Sequence, residues 1–220
     1  MAGIGQLNAA YEVTNDIKAL GVVLDCLLTF RKHAMAVERS CSYRSQAIRH
    51  IRHLLSTELA VTLACSLILT RLDYCNSVLY GAPASSIQVL QRVQNNAARI
   101  VLQAPRSSHA RPLLWDLHWL LIQHRIEDKV AVLTSKSRIS ATAPTYLSRH
   151  IKAGVSERTL RSSAVPLLDK PFTRTDFARR AFRCSAPTVW NSLPETIISA
   201  DSQSVFKSRL KTYFFRKAFD

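Results

Sequence analysis

The chain is predicted to be mostly α-helical, a helical bundle followed by a second, partly irregular helical segment. Three observations predict this class. Apolar residues recur at alternating steps of three and four over long stretches, the spacing of a helix face. Runs of strand type are confined to the first 30 residues, and only five glycines punctuate 220 residues. A hydrophobic content of 47% is enough to build a core in one or two domains.

Residues 1–16 carry little hydrophobic periodicity and are expected to form a disordered leader. Met1 to Val13 has neither a basic n-region nor an apolar h-region, so this stretch does not read as a signal peptide. Leu20-Gly21-Val22-Val23-Leu24-Asp25 is a short apolar run of strand type, giving a β element near residues 20–25. Thr29 is a candidate N-cap for a helix whose stripe is Phe30, Ala34, Val37, Cys41, Ile48, Ile51 and Leu55, interrupted once by Arg44. Its outer face carries Arg39, Arg49 and Arg52. Ser56 or Thr57 caps the next helix, with Glu58 in the first turn where the macrodipole favours an acid. Leu59 to Leu72 is apolar almost all round, as expected of the helix against which others pack. A third helix, about Ser85 to Leu102, sets Ile87, Leu90, Val93, Ala97, Ile100 and Val101 on one side, with Gln88, Arg92, Asn95 and Arg99 on the other.

Pro and Ser mark residues 104–112 as a linker. Helices follow near 113–117 and 121–137. Residues 138–175, with Pro144, Pro166 and Pro171, are expected to be mainly irregular, and two last helices fall near 176–184 and 202–218. In the last one, Val205, Phe206, Leu210, Tyr213, Phe214 and Ala218 oppose Lys207, Arg209, Lys211, Arg216 and Lys217. A basic amphipathic helix of this kind docks on a neighbouring helix, binds RNA or lies on an anionic membrane surface. Trp115, Trp119 and Trp190 read as core anchors.

Thirty Lys and Arg against 15 acids give a formal charge of +15 and a pI near 10.2. Such an excess favours a polyanionic partner through long-range attraction and counterion release. The most apolar run, Leu59 to Leu69, falls well short of the roughly 20 residues a bilayer span needs. Five scattered cysteines without C-x-x-C spacing read as reduced, mostly buried thiols of an intracellular protein, nuclear or cytoplasmic.

Catalytic readings are weak throughout. There is no G-x-S-x-G elbow, P-loop or Gly-rich dinucleotide turn. The adjacent acids Glu127 and Asp128 lie in a segment of helical pattern, where neighbours diverge by about 100° and do not share a metal face. Asp73 reads as a helix-end or hydrogen-bonding residue. His50 and His53, three apart on one helical face, and the set His118, His124 and Glu127 are candidate zinc ligands, but packing or solvent exposure is their default because a structural zinc wants four ligands. The sequence therefore predicts no catalytic residue, no metal and no cofactor.

The block Arg71-Leu72-Asp73-Tyr74-Cys75-Asn76-Ser77-Val78-Leu79-Tyr80-Gly81 is followed by Leu90-Gln91-Arg92-Val93-Gln94-Asn95, by Leu117-His118-Trp119-Leu120, and by Ala186-Pro187-Thr188-Val189-Trp190-Asn191-Ser192-Leu193-Pro194. In order and spacing these resemble the carboxy-terminal part of the reverse transcriptase polyprotein of non-LTR (LINE-type) retrotransposons of the jockey and chicken-repeat group. The likeness runs from about Ile17 to Phe219. Leu121 stands where that family usually has proline, which leaves the turn before it unspecified. The resemblance implies that 17–103 hold an end-of-palm strand and a thumb-like bundle, and that 113–220 form a carboxy-terminal extension. It also implies that the strand near Leu20 normally joins a palm sheet, and would otherwise present an unpaired edge. A thumb grips the template–primer duplex by its backbone. Arg44, Arg49, Arg52, Arg92 and Arg99 would then meet phosphates, with hydrogen bonds from Gln88 and Asn95 and further charge from Lys207 and Lys211. Two-metal phosphoryl transfer needs an adjacent Asp pair on a palm hairpin, and none occurs in these 220 residues. The expectation is sequence-independent RNA or DNA backbone binding without catalysis. The alternatives are a helical adaptor for an acidic protein partner and a decayed element copy with no selected role.

Overall fold

The computed structural model describes residues 16–139, 144–154 and 167–220. The expected leader, apart from Asp16, therefore lies outside the described residues, as does Pro166.

Two short antiparallel strands open the fold, β1 (Asp16–Ala19) and β2 (Val22–Asp25), with Ala19 opposite Val22. The two-residue turn Leu20-Gly21 has positive φ at both positions, the twist a tight hairpin requires. Tyr74 donates its hydroxyl to the Leu20 carbonyl at 2.8 Å and pins this turn to the bundle. The Leu20 run is thus paired on one side by residues whose strand character was not read from the sequence. Asp25 ends β2 and accepts from the backbone N–H groups of Thr29 and Phe30, both at 2.8 Å. Thr29 is therefore not the N-cap. Phe30 holds that position in a left-handed conformation, and the cap-like carboxylate comes from Asp25.

Helix α1 (Arg31–Ile51) buries Ala34, Cys41 and Ile48 as the stripe predicts. Ile51 is instead 42% exposed, because the chain tightens into a 3-10 turn over Arg52–Leu54 and rotates the stripe away. Ser56 accepts from the Leu59 N–H and starts α2 (Thr57–Ala64), as expected. The helix runs on through a π-helical turn, Cys65–Leu69, into α3 (Thr70–Asp73). It buries Ala60, Ala64, Ile68, Leu69 and Leu72, but Leu59 and Leu67 face outward, so one flank is not covered as the sequence suggested. A 3-10 turn, Asn76–Leu79, leads to Gly81, whose φ of +71° suits glycine and where a Cβ would meet the Arg180 side chain at 2.9 Å. Helix α4 (Ala84–Val101) lies along α1, burying Leu90, Val93, Ala97 and Val101. It ends in a Schellman turn: Gln103 is left-handed, and the Ala104 N–H reaches the Arg99 carbonyl at 2.9 Å.

The 104–112 segment is shorter than expected, since α5 (Ala110–Asp116) starts within it and takes Pro112 into its first turn, where a missing N–H costs nothing. Another left-handed residue, His118, closes α5, with the Trp119 N–H on the Leu114 carbonyl at 2.9 Å. Two glutamines of α4 then organise the turn into α6 (Ile122–Ile139). Gln91 accepts from the Ile122 N–H at 2.9 Å, and the buried Gln94 donates to the Leu120 carbonyl at 2.9 Å. Ile122 and Ile126 belong to the same core as Leu90 and Ala98, so the core continues across the 104–112 segment.

Beyond α6 lie α7 (Thr145–Ser148), α8 (Asp176–Arg179), α9 (Phe182–Trp190), α10 (Glu195–Ile198) and α11 (Gln203–Phe219). The single helix expected over 176–184 is broken, because Ala181 takes an extended ψ and α9 restarts after it. The described parts of 138–175 are mainly irregular apart from α7 and a bridge between Ala153 and Leu168. Asn191 braces that bridge, donating to and accepting from the Leu168 backbone at 2.9 Å. A second core gathers Val130, Trp190, Phe206, Leu210 and Phe214. Trp119 and Trp190 are buried as expected. Trp115 is 47% exposed and packs instead on the rings of Phe215 and Phe219.

Candidate nucleic-acid interface

Where α1 and α4 lie together, the end of α1 and the Schellman turn of α4 enclose an open cleft of about 780 Å³. Arg49 and His53 come from α1 and its 3-10 turn, Asn96 and Arg99 from α4, and Arg106 from the loop after it. Gln46 and Gln103 add neutral hydrogen-bonding groups. Among the described residues no Asp or Glu lines this cleft. Arg49 and Arg106 are exposed. Arg99 is half-buried: its Nε donates to the Ser108 carbonyl at 3.1 Å and its Nη1 to Asn96 at 3.2 Å, which fixes the loop carrying Arg106.

The sequence-predicted residues fall at four places. Arg49, Arg52 and Arg99 converge on the cleft, but Arg52 has a structural task. It is 8% exposed, and its Nε and Nη2 donate to the Val101 carbonyl at 2.9 and 2.6 Å while Nη1 donates to Leu55 at 2.8 Å. Its charge sits at the carbonyl end of α4, where the macrodipole favours a cation. Gln88, Arg92 and Asn95 share one flank of α4 outside the cleft. Gln88 and Arg92 are exposed, whereas Asn95 accepts from Gln91 at 2.8 Å. Arg44 lies further back on α1 and donates to the Ser40 carbonyl at 3.3 Å and to the Ser40 hydroxyl.

Lys207 and Lys211 lie elsewhere, on a second cleft of about 740 Å³ between the α2–α3 helix, α6 and α11. Lys129 and Lys136 of α6 join them. Arg125 is also there but is held by Asp73, with its Nε on Oδ1 at 2.8 Å and Nη2 on Oδ2. Asp73 therefore serves as a helix-end acceptor. Asp128 faces the same cleft, and burial pushes its carboxyl up to about 6, against the pull of Arg125. Its neighbour Glu127 turns the other way, toward Lys217 at 3.7 Å. The two acids thus diverge, as helical neighbours must.

Arg106, Lys129 and Lys136 were missed as site residues. Arg106 sits in what reads as a Pro/Ser linker, and the two lysines interrupt a helix whose role is otherwise core packing. Arg106 is carried by a loop, which sequence does not assign to a face; Lys129 and Lys136, seven apart on one helix, share a face, but what that face meets is set by packing. His50 and His53 are exposed, and His124 packs edge-on to Phe214. Among the described residues, no group of three His, Cys, Asp or Glu side chains comes together as a metal ion would require. No helix among them is long and apolar enough to cross a membrane.

Comparison with known protein families, with curated proteins and with solved structures gives no match to this chain.

Proposed function

We propose that these residues form the thumb-like bundle and carboxy-terminal extension of a LINE-type reverse transcriptase, and that they bind RNA or DNA by the backbone without catalysing polymerisation. The observation that carries the reading is the α1/α4 cleft. Arg49, Arg99 and Arg106 bring three cations to one concave wall on which, among the described residues, no acid lies. Cations in such a cleft meet phosphates and release counterions, giving affinity without sequence choice. The motif blocks and the net charge of +15 support the same reading.

Filter binding of a mixed-sequence RNA by the 220-residue chain at two salt concentrations tests it. Affinity is expected to fall steeply, with a log–log slope of several units. Absence of binding at low salt, or a flat response, contradicts the proposal. Magnesium- or manganese-dependent nucleotide incorporation by the purified chain would contradict the non-catalytic part.

A further inference from the structure

We propose that the second cleft is a nucleotide subsite, which takes one unpaired nucleobase against its apolar wall and the attached phosphate on the lysines at its mouth. The inference rests on the nucleic-acid reading above, but on different residues from the α1/α4 cleft.

The two ends of the cleft have opposite chemistry. At its mouth stand Lys129, Lys136, Lys207 and Lys211, all exposed. None of the four forms an ion pair among the described residues. Their exposed ammonium groups can meet an anion. Deeper in are acceptors. Asn76 is 4% exposed, and its Oδ1 has no hydrogen-bond partner among the described residues, while its Nδ2 lies 3.4 Å from Asp73 and 3.5 Å from the Arg125 carbonyl. A buried acceptor left without a donor is costly and calls for an explanation at each occurrence. Asp128 also lines the cleft and supplies a carboxyl acceptor there.

That polarity selects the ligand. A bare phosphate satisfies the lysines but brings no N–H to Asn76. An acidic side chain entering the cleft would carry its charge toward two acceptors. A nucleotide carries both polarities on one body, an N–H-bearing base edge for the deep end and a phosphate for the mouth. The wall between is apolar, with Leu69, Leu117, Leu120 and Val132, and so suits the face of a base. Cys65 and Leu69 bound the π-helical turn of the α2–α3 helix, and both line the cleft. Such single π turns recur at functional sites because the inserted residue reshapes one helix face.

The test uses the full chain, with a single-stranded RNA decamer, the same decamer in duplex form, and AMP, ribose 5-phosphate and inorganic phosphate as competitors. Val132→Trp fills the cleft from a half-buried helix position. It is expected to weaken single-strand binding about tenfold, the contribution of one stacked base, and to leave duplex binding within about twofold. Lys207→Glu with Lys211→Glu, both at exposed positions, should lower single-strand affinity more than duplex affinity. Competition by AMP beyond that of ribose 5-phosphate shows that a free nucleotide suffices. A single strand sensitive to Val132→Trp but resistant to AMP assigns the site to a nucleotide within a strand. Equal competition by AMP, ribose 5-phosphate and inorganic phosphate overturns the proposal. So does a Val132→Trp chain that binds both RNAs as before or loses both equally, and so does a polyglutamate peptide that occupies the cleft in preference to the strand. If the decamer and its duplex fail to bind while AMP binds in a Val132-dependent way, the wider reading fails and the subsite stands.

Discussion

Arg52 shows how a residue can satisfy a binding pattern and yet be used internally. On the sequence it is one more cation on the outer face of α1. In the structure its guanidinium joins three chain segments through the carbonyls of Val101 and Leu55 and the Thr57 hydroxyl. Replacing it with methionine keeps the apolar bulk but leaves the Val101 carbonyl without its donor. The Arg52→Met chain is expected to lose about 2–4 kcal/mol in urea unfolding, whereas its RNA salt slope stays at the wild-type value. Asp128 makes a prediction of opposite sign. Its folded carboxyl titrates near 6, above the ordinary 3.8, because burial disfavours the charge; Arg125, Lys129 and Lys211 face it and pull it down, Asp73 pushes it up. A carboxyl raised on folding binds its proton more tightly in the native state. Its charge therefore opposes folding above about pH 6, and the penalty fades as pH falls toward 4. Asp128→Asn should thus stabilise the chain at pH 7.5, by on the order of 2 kcal/mol once partial exposure is allowed for, and have almost no effect at pH 4. Thermal melts at the two pH values check this.

At the scale of elements, the long helices were legible because their periodicity survives in any context. α4 and α11 fall within a residue or two of their expected bounds, and the stripe of Phe206, Leu210 and Phe214 is buried as read. Turns and breaks were not legible. The stop at Ala181, the left-handed Phe30 and the 3-10 turn after Ile51 each depend on partners distant in the chain or on backbone angles the sequence does not announce. The motif blocks were conspicuous, but their internal purpose was hidden. Gln91 and Gln94 bind the α5–α6 turn, Asn191 braces Leu168, and Tyr74 holds the hairpin. The left-handed His118 makes the α5–α6 turn without a proline. Gln94 is buried, and its amide bonds both Leu120 and Gln91. Gln94→Leu keeps its volume, strands the Leu120 carbonyl and is expected to destabilise the chain by about 1–3 kcal/mol. Gln88→Leu, on an exposed position of the same helix, should shift unfolding by less than about 0.5 kcal/mol.

For the whole molecule, the net charge of +15 favours a polyanionic partner but does not say where the charge gathers. Folding sorts the predicted cations. Arg49 and Arg99 go to one concave wall, Lys207 and Lys211 to another, Arg44 and Arg52 to contacts within the chain, and Arg92 to an open flank. Only the periodic part of that sorting is written locally, since Arg106 reaches the first wall through a loop fixed by Arg99. The central claim is that the first wall neutralises phosphates, and the salt dependence of duplex binding tests it most directly. The slope of log K against log salt should be several units negative for the native chain, and should shrink by about two when the exposed Arg49 and Arg106 are both changed to alanine. An unchanged slope in that double variant, with the fold intact by circular dichroism, would contradict the account.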